Sequence, residues 1–172
     1  MQTFIALLRA INVGGTGKLP MADLVRICET AGFSDVKTYI QSGNVVFKSD
    51  LEAGAIQALI EDALAKKVGK PVGVQIRRAA DFDRLLAENP FKKAPPNQVI
   101  VMFFDEPPPK DALAEIRSPG GEELQLRGRE LYIHYPNGQG RSKLKIPFAA
   151  AATGRNINTV AKLAAMAREL SK

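Results

Sequence analysis

Two groups of residues in this sequence have the types and spacing to hold an anion. The first runs along Arg9-Ala-Ile-Asn-Val-Gly-Gly-Thr-Gly-Lys18 and is joined by Gln41, Ser42 and Asn44. Within it, Gly14 and its neighbours let backbone N–H groups approach a ligand closely, Arg9 and Lys18 supply charge, and Asn12 supplies an amide. The second is Asn137-Gly-Gln-Gly-Arg-Ser-Lys143, with Arg155 and Asn156 further on. There the glycines flank Arg141 and Lys143, while Ser142 and Asn156 carry side chains suited to capping helices. A plainer reading stands beside each. The glycines of the first group can merely turn the chain, with Ser42-Gly43 making a hairpin, and the second group can be two ordinary caps among solvated bases.

The charge distribution favours the anion reading. The 172 residues carry 24 basic and 18 acidic side chains, a net charge of +6. Residues 1–123 hold 15 basic and 16 acidic groups; residues 124–172 hold nine basic and two acidic, Glu130 and Glu169. Between those two acids lie only bases: Arg141, Lys143, Lys145, Arg155, Lys162 and Arg168. A segment of one sign creates a field that favours phosphate, carboxylate or nucleic acid, unless acids from elsewhere fold against it.

Several familiar chemistries are excluded by position. A Walker A loop needs Gly-Lys-Ser/Thr with a glycine five residues earlier, but Gly17-Lys18 is followed by Leu19 and preceded at that distance by Asn12. The dinucleotide fingerprint fails because Pro20 stands where its third glycine belongs. Gly140-Arg-Ser-Lys-Leu144 begins like a nucleophile elbow and lacks the final glycine. His134 is the single histidine, so no site needing two can form, and Cys28 is the single cysteine, so neither an internal disulfide nor a cysteine metal cluster can. Cys28 falls on the apolar stripe of a helix, which makes it an inert core thiol. No metal and no cofactor is expected.

The elements that would position these residues read as follows. Thr3–Arg9 is an apolar strand, and a helix follows Pro20 with Leu24, Ile27, Cys28 and Ala31 at helical spacing and Gly32 at its end. Val36–Ile40 and Val45–Lys48 are strands around a hairpin turn, Glu52–Val68 is a helix, and Gly73–Arg77 is a strand. This β-α-β-β-α-β order is the ferredoxin-like split motif. A helix at Ala80–Glu88 leads to the proline-rich Asn89–Pro96. The order then recurs: a strand at Gln98–Asp105, a helix at Pro109–Arg117, and strands at Leu124–Leu126 and Leu131–Tyr135. Helices near Lys145–Ala152 and Ile157–Leu170 close the chain, with no obvious last strand. The expectation is an α+β protein of two ferredoxin-like β-α-β-β-α(-β) lobes related by an internal structural repeat. Residues 1–88 form the first lobe, 89–97 a joint, and 98–172 a second lobe with a basic helical end.

In such a unit the first two strands run parallel, so the loop after the first neighbours the hairpin after the second. That gathers Arg9, Asn12 and Lys18 beside Gln41, Ser42 and Asn44.

Ile5-Ala-Leu-Leu-Arg-Ala-Ile-Asn-Val-Gly-Gly15, with Lys18, Pro20 and Met21, resembles the opening signature of bacterial domain-of-unknown-function family 1697. So do Gly32-Phe33, Thr38-Tyr-Ile-Gln-Ser-Gly-Asn-Val-Val-Phe47, Gly140-Arg-Ser-Lys143 and Thr153-Gly-Arg-Asn-Ile-Asn-Thr-Val160. Ala10 stands where the family usually has glycine, and Ile157 where it usually has tryptophan. The resemblance implies a two-lobed ferredoxin-like fold and supplies no activity.

Three functions fit these residues. The first is binding of a small phosphorylated or carboxylated ligand. The second is binding of RNA or other single-stranded nucleic acid, which the sequence pI of about 9.5 allows. No Trp and three Tyr make a poor platform for stacking bases, however. The third is a metal-independent enzyme acting on an anionic substrate through Arg9, Lys18, Ser42 or Lys143. The opening apolar run lacks a basic leader region and no stretch is long enough to span a bilayer, so a cytoplasmic protein without a membrane partner is expected.

Overall fold

In a computed structural model, which describes residues 1–9, 18–40 and 42–172, the opening apolar run forms β1 (Gln2–Leu8). Every residue of it from Thr3 on is buried, as an unbroken apolar run requires. Helix α1 (Met21–Thr30) buries Leu24 and Cys28 and stops where Gly32 takes a left-handed φ of 93°. The hairpin β2 (Ser34–Tyr39) and β3 (Asn44–Ser49) follows, then α2 (Ala53–Val68) and β4 (Val74–Arg78). All pairings are antiparallel, in the order β2-β3-β1-β4, consistent with the expected split motif. Ile56, Ile60 and Leu64, four residues apart on α2, pack with Leu24 and Cys28 on Phe4, Ala6, Val45 and Phe47. The outer backbone of edge strand β4 is met by α2: Gln57 donates to Val74 O at 2.8 Å, and Val74 N–H donates to Glu61 at 3.0 Å.

Helix α3 (Ala79–Ala87) leads to the second sheet: β5 (Val99–Phe103), α4 (Lys110–Ala114), β6 (Glu123–Arg127), β7 (Glu130–His134) and β8 (Thr153–Asn156). Its order is β6-β7-β5-β8, the pattern of the first sheet with every strand advanced by four. The match extends to single residues. Leu7 faces Asn44 and Gln75, and Phe103 faces Glu130 and Thr153. One residue on, Leu8 N–H donates to Gly43 O at 2.8 Å and Phe104 N–H to Arg129 O at 3.0 Å. Ile5 faces Arg77 and Val101 faces Arg155, and each arginine donates from Nη1 to the carbonyl just before it, Ile76 O at 2.9 Å and Gly154 O at 2.8 Å.

Two expectations need correction. The second sheet does have a fourth strand, β8, hidden in sequence because Thr-Gly-Arg-Asn lacks an apolar run. The helix expected near Lys145–Ala152 is absent; the only regular turn there is a short 3-10 stretch at Ala149–Ala151. Leu144, Ile146 and Phe148 instead alternate with exposed Lys143, Lys145 and Pro147. The three apolar residues pack on Ile100, Leu131 and Ile133, so this segment covers the sheet as an extended strap. Its period of two, with a proline inside it, is what a helix cannot use.

The chain divides into two compact units, Met1–Arg84 with Lys162–Lys172, and Leu85–Ala161. The closing helix α5 (Ile157–Leu170) starts in the second unit and ends in the first, where Arg168 donates to Asp83 at 2.9 Å. Among the described residues no helix is long and apolar enough to cross a membrane.

Candidate functional site

The end of the first sheet is assembled by three backbone segments. Leu8 N–H reaches Gly43 O, and Arg9 N–H reaches Gly73 O at 2.9 Å, which brings the end of β1 against both the β2–β3 turn and the approach to β4. The stem of Arg9 lies along Gly73: a β-carbon there would be 3.8 Å from its Cβ and 3.9 Å from its Cδ. Arg9 and Lys18 are both exposed. Among the described residues neither side chain has a hydrogen bond or ion pair. Lys18 belongs to this end by connectivity. Ser34, just after α1, pairs with Lys48, which also faces Thr3 at the far end of β1, so α1 runs away from Arg9. Asp23 occupies the first turn of α1 and sits 3.3 Å from Arg26 and 3.5 Å from Lys67. A carboxylate already complements that helix terminus, while Arg9 and Lys18 stay open to a ligand.

The polar residues of the adjoining turn divide by role. Asn44 is fully buried and donates both amide hydrogens, to Tyr39 O at 2.8 Å and Ser42 Oγ at 2.9 Å. It holds the turn from beneath, and Ser42 is part of the same grip. Asn12, Gly14 and Gln41 lie outside the described residues.

The second group separates in space by function as well. The Ser142 hydroxyl accepts Leu144 N–H at 3.1 Å and shapes the entry to the strap; no helix follows it. Arg141, Lys143 and Lys145 are exposed, with no acid against them among the described residues. Other bases of the C-terminal segment are engaged: Arg168 with Asp83, Lys172 with Glu169 at 3.3 Å, and Lys162 6.0 Å from the centre of the Tyr39 ring. Asn156 caps α5, its Oδ1 accepting Thr159 N–H at 2.9 Å. Arg155 is half-buried and bound to Gly154 O, and burial lowers its pKa to about 10. It holds the frame of the second sheet as Arg77 does in the first.

The remaining reactive side chains are committed to structure. Cys28 is fully buried, and burial, reinforced by Glu29, pushes its thiol up to about 12. His134 Nε2 lies 3.2 Å from Gln98 Oε1 and its ring 5.7 Å from Phe91, while Glu123 is 4.0 Å from Nδ1. Two features escaped sequence reasoning. The Arg77–Arg155 correspondence needed the strand register. The left-handed backbone of Ile40, φ 53°, has no signal in a β-branched residue.

The chain is similar in structure to a conserved bacterial protein, SP0830 from Streptococcus pneumoniae, with a TM-score of 0.81 at 24% identity over 96% of this chain and 98% of the other. No curated protein matches it. A family model described as "Protein of unknown function (DUF1697)" matches residues 1–132. The match covers most of the chain, which belongs to domain-of-unknown-function family 1697.

Proposed function

We propose that the end of the first sheet binds a small anion, a phosphorylated or carboxylated ligand, with Arg9 as its principal contact and Lys18 as a second charge. The observation that carries this reading is Arg9 itself. Its backbone is fixed by Gly73, its stem rests along that glycine, and its guanidinium is exposed with no partner among the described residues. A guanidinium presents a planar fork matched to carboxylate and phosphate oxygens, and one already positioned loses little freedom on binding. Asn44 and Ser42 support the site by holding the neighbouring turn.

A thermal-shift screen of nucleotides, sugar phosphates and organic acids tests it, on wild type and Arg9→Ala. A ligand at 100 times its Kd adds about 2.7 kcal/mol to stability, a shift such a screen resolves. The expected result is a family of stabilising anions whose effect is lost in Arg9→Ala, with the unliganded variant melting as wild type does. Stabilisation that survives the substitution would move the site elsewhere.

A second reading has its own observation. Lys143 and Lys145 alternate with Leu144 and Ile146 along the extended strap, about 6–7 Å apart, and Arg141 ends the 3-10 turn that leads into it. Such a row suits a polyanion such as single-stranded nucleic acid, held by charge without base stacking.

A further inference from the structure

Ile40 is the residue of the first unit whose conformation its chemistry explains least. It follows Tyr39 at the end of β2, is 50% exposed, and has a φ of 53°. That left-handed region is open to glycine and tolerated by asparagine, but it crowds the branched β-carbon of isoleucine. The second unit shows what the frame alone asks for. Tyr39 faces Asn44 as Arg127 faces Glu130, so the first residue of the turn is Ile40 in one unit and Gly128 in the other. Gly128 has a φ of 60°. The same backbone is thus made without strain by glycine, and with strain by an isoleucine that buries only half its surface. The strain is held in place by Asn44, whose buried amide grips the chain on both sides of the residue, at Tyr39 O and Ser42 Oγ. Strain that the surroundings over-determine, beside an uncommitted arginine, marks a residue kept for contact with something else.

The register gives the placement. Tyr39, Asn44 and Leu7 lie in one row across β2, β3 and β1, and β1 and β2 run in the same direction, so Ile40 and Arg9 both emerge past that row at the same end of the sheet. Two strand spacings separate their chains, about 10 Å. Resting on the anion-binding reading above, we infer that Ile40 is the apolar contact of that site and that its ligand is an organic anion, a phosphate or carboxylate joined to an apolar body that reaches from Arg9 toward Ile40.

The experiment compares phenyl phosphate with inorganic phosphate, by calorimetric titration, on wild type, Ile40→Gly, Ile40→Asn and Arg9→Ala. Wild type is expected to bind phenyl phosphate about tenfold more tightly than phosphate, the gain of covering much of an isoleucine side chain. Ile40→Gly and Ile40→Asn are expected to bind both probes at the level of phosphate, while their Tm stays at or above that of wild type. Arg9→Ala is expected to lose both. If wild type shows no preference between the probes, or if the Ile40 variants keep it, the inference is overturned and the anion site stands. A lowered Tm in both Ile40 variants would assign the isoleucine to the turn itself and overturn it equally. If neither probe binds wild type, the anion reading fails and takes this inference with it.

Discussion

The two sheets share one frame and put opposite chemistry on it. Where β1 leaves the first sheet stands Arg9; at the matching place after β5 stands Asp105, followed by Glu106 and three prolines. The first unit joins its second and third strands through the four residues between Tyr39 and Asn44, whereas the second needs only Gly128 and Arg129 between Arg127 and Glu130. A helix, α2, covers the first sheet between its last two strands; the strap covers the second. The repeat therefore preserved strand order, register and even the arginine that folds onto its neighbouring carbonyl, while the loops diverged in charge and length. A fold of this kind carries a site only where its loops supply one, and the proposal above puts it in the first unit.

The sharpest contrast lies between helix and strap. Ile60 is fully buried on α2, and Ile60→Ala should cost about 2–5 kcal/mol in urea unfolding. Ile146 is half-buried on the strap, and Ile146→Ala should cost about 1 kcal/mol. Equal losses would show that the strap is as much a part of the core as α2 is.

Alkaline titration separates the units next. Cys28 has an ordinary pKa of 9.0 and is held near 12 in the folded chain. Above pH 9 the unfolded chain loses this proton and the native one keeps it, so stability falls as pH rises from 9 toward 12. The loss is about 2 kcal/mol by about pH 10.5. Cys28→Ala should remove that part of the pH dependence, apart from a constant offset for the lost sulfur. Unchanged slopes in wild type and variant would mean that the thiol reaches solvent.

How much of this was legible in sequence follows from the same contrast. The first unit could be read because each element announced itself: a continuous apolar β1, a helical stripe through Leu24 and Cys28, and a turn at Ser42-Gly43. The second could not be read to its end. Thr153–Asn156 is a strand by pairing with β5, with little in its own residues to say so, and the helix expected near Lys145–Ala152 gives way to Leu144-Lys-Ile-Pro-Phe148, whose alternation fits an extended chain. The candidate site was legible in part. Strand direction placed the end of β1 beside the β2–β3 turn, as the Leu8 N–H bond to Gly43 O shows. The division of labour among its polar residues was not, because Asn44 is spent inside the turn and Arg155 belongs to the frame through contacts that residue type and spacing do not encode.

The smaller effects sharpen the comparison at single groups. Asn156→Ala removes the cap of α5 and should cost about 1 kcal/mol, measurable as a fall in the thermal midpoint. Replacing Arg141, Lys143 and Lys145 by alanine should change stability by no more than about 0.5 kcal/mol each, since all three are exposed and unpaired among the described residues. If the strap holds single-stranded nucleic acid, the triple variant should flatten the salt dependence of oligonucleotide binding by about two in log–log slope. A slope that does not move would remove the polyanion reading.

The central claim is that the first unit holds the anion at Arg9, and amide chemical shifts during a phosphate titration test it most directly, on wild type and on Arg9→Asp, which gives the first unit the residue that stands at this place in the second. The account predicts saturable shifts at Leu8, Arg9, Gly43 and Gly73 in wild type and their loss in Arg9→Asp, with the rest of the spectrum unchanged. Shifts that persist in the variant, or that fall on Arg141–Lys145 while the end of β1 stays still, would contradict it.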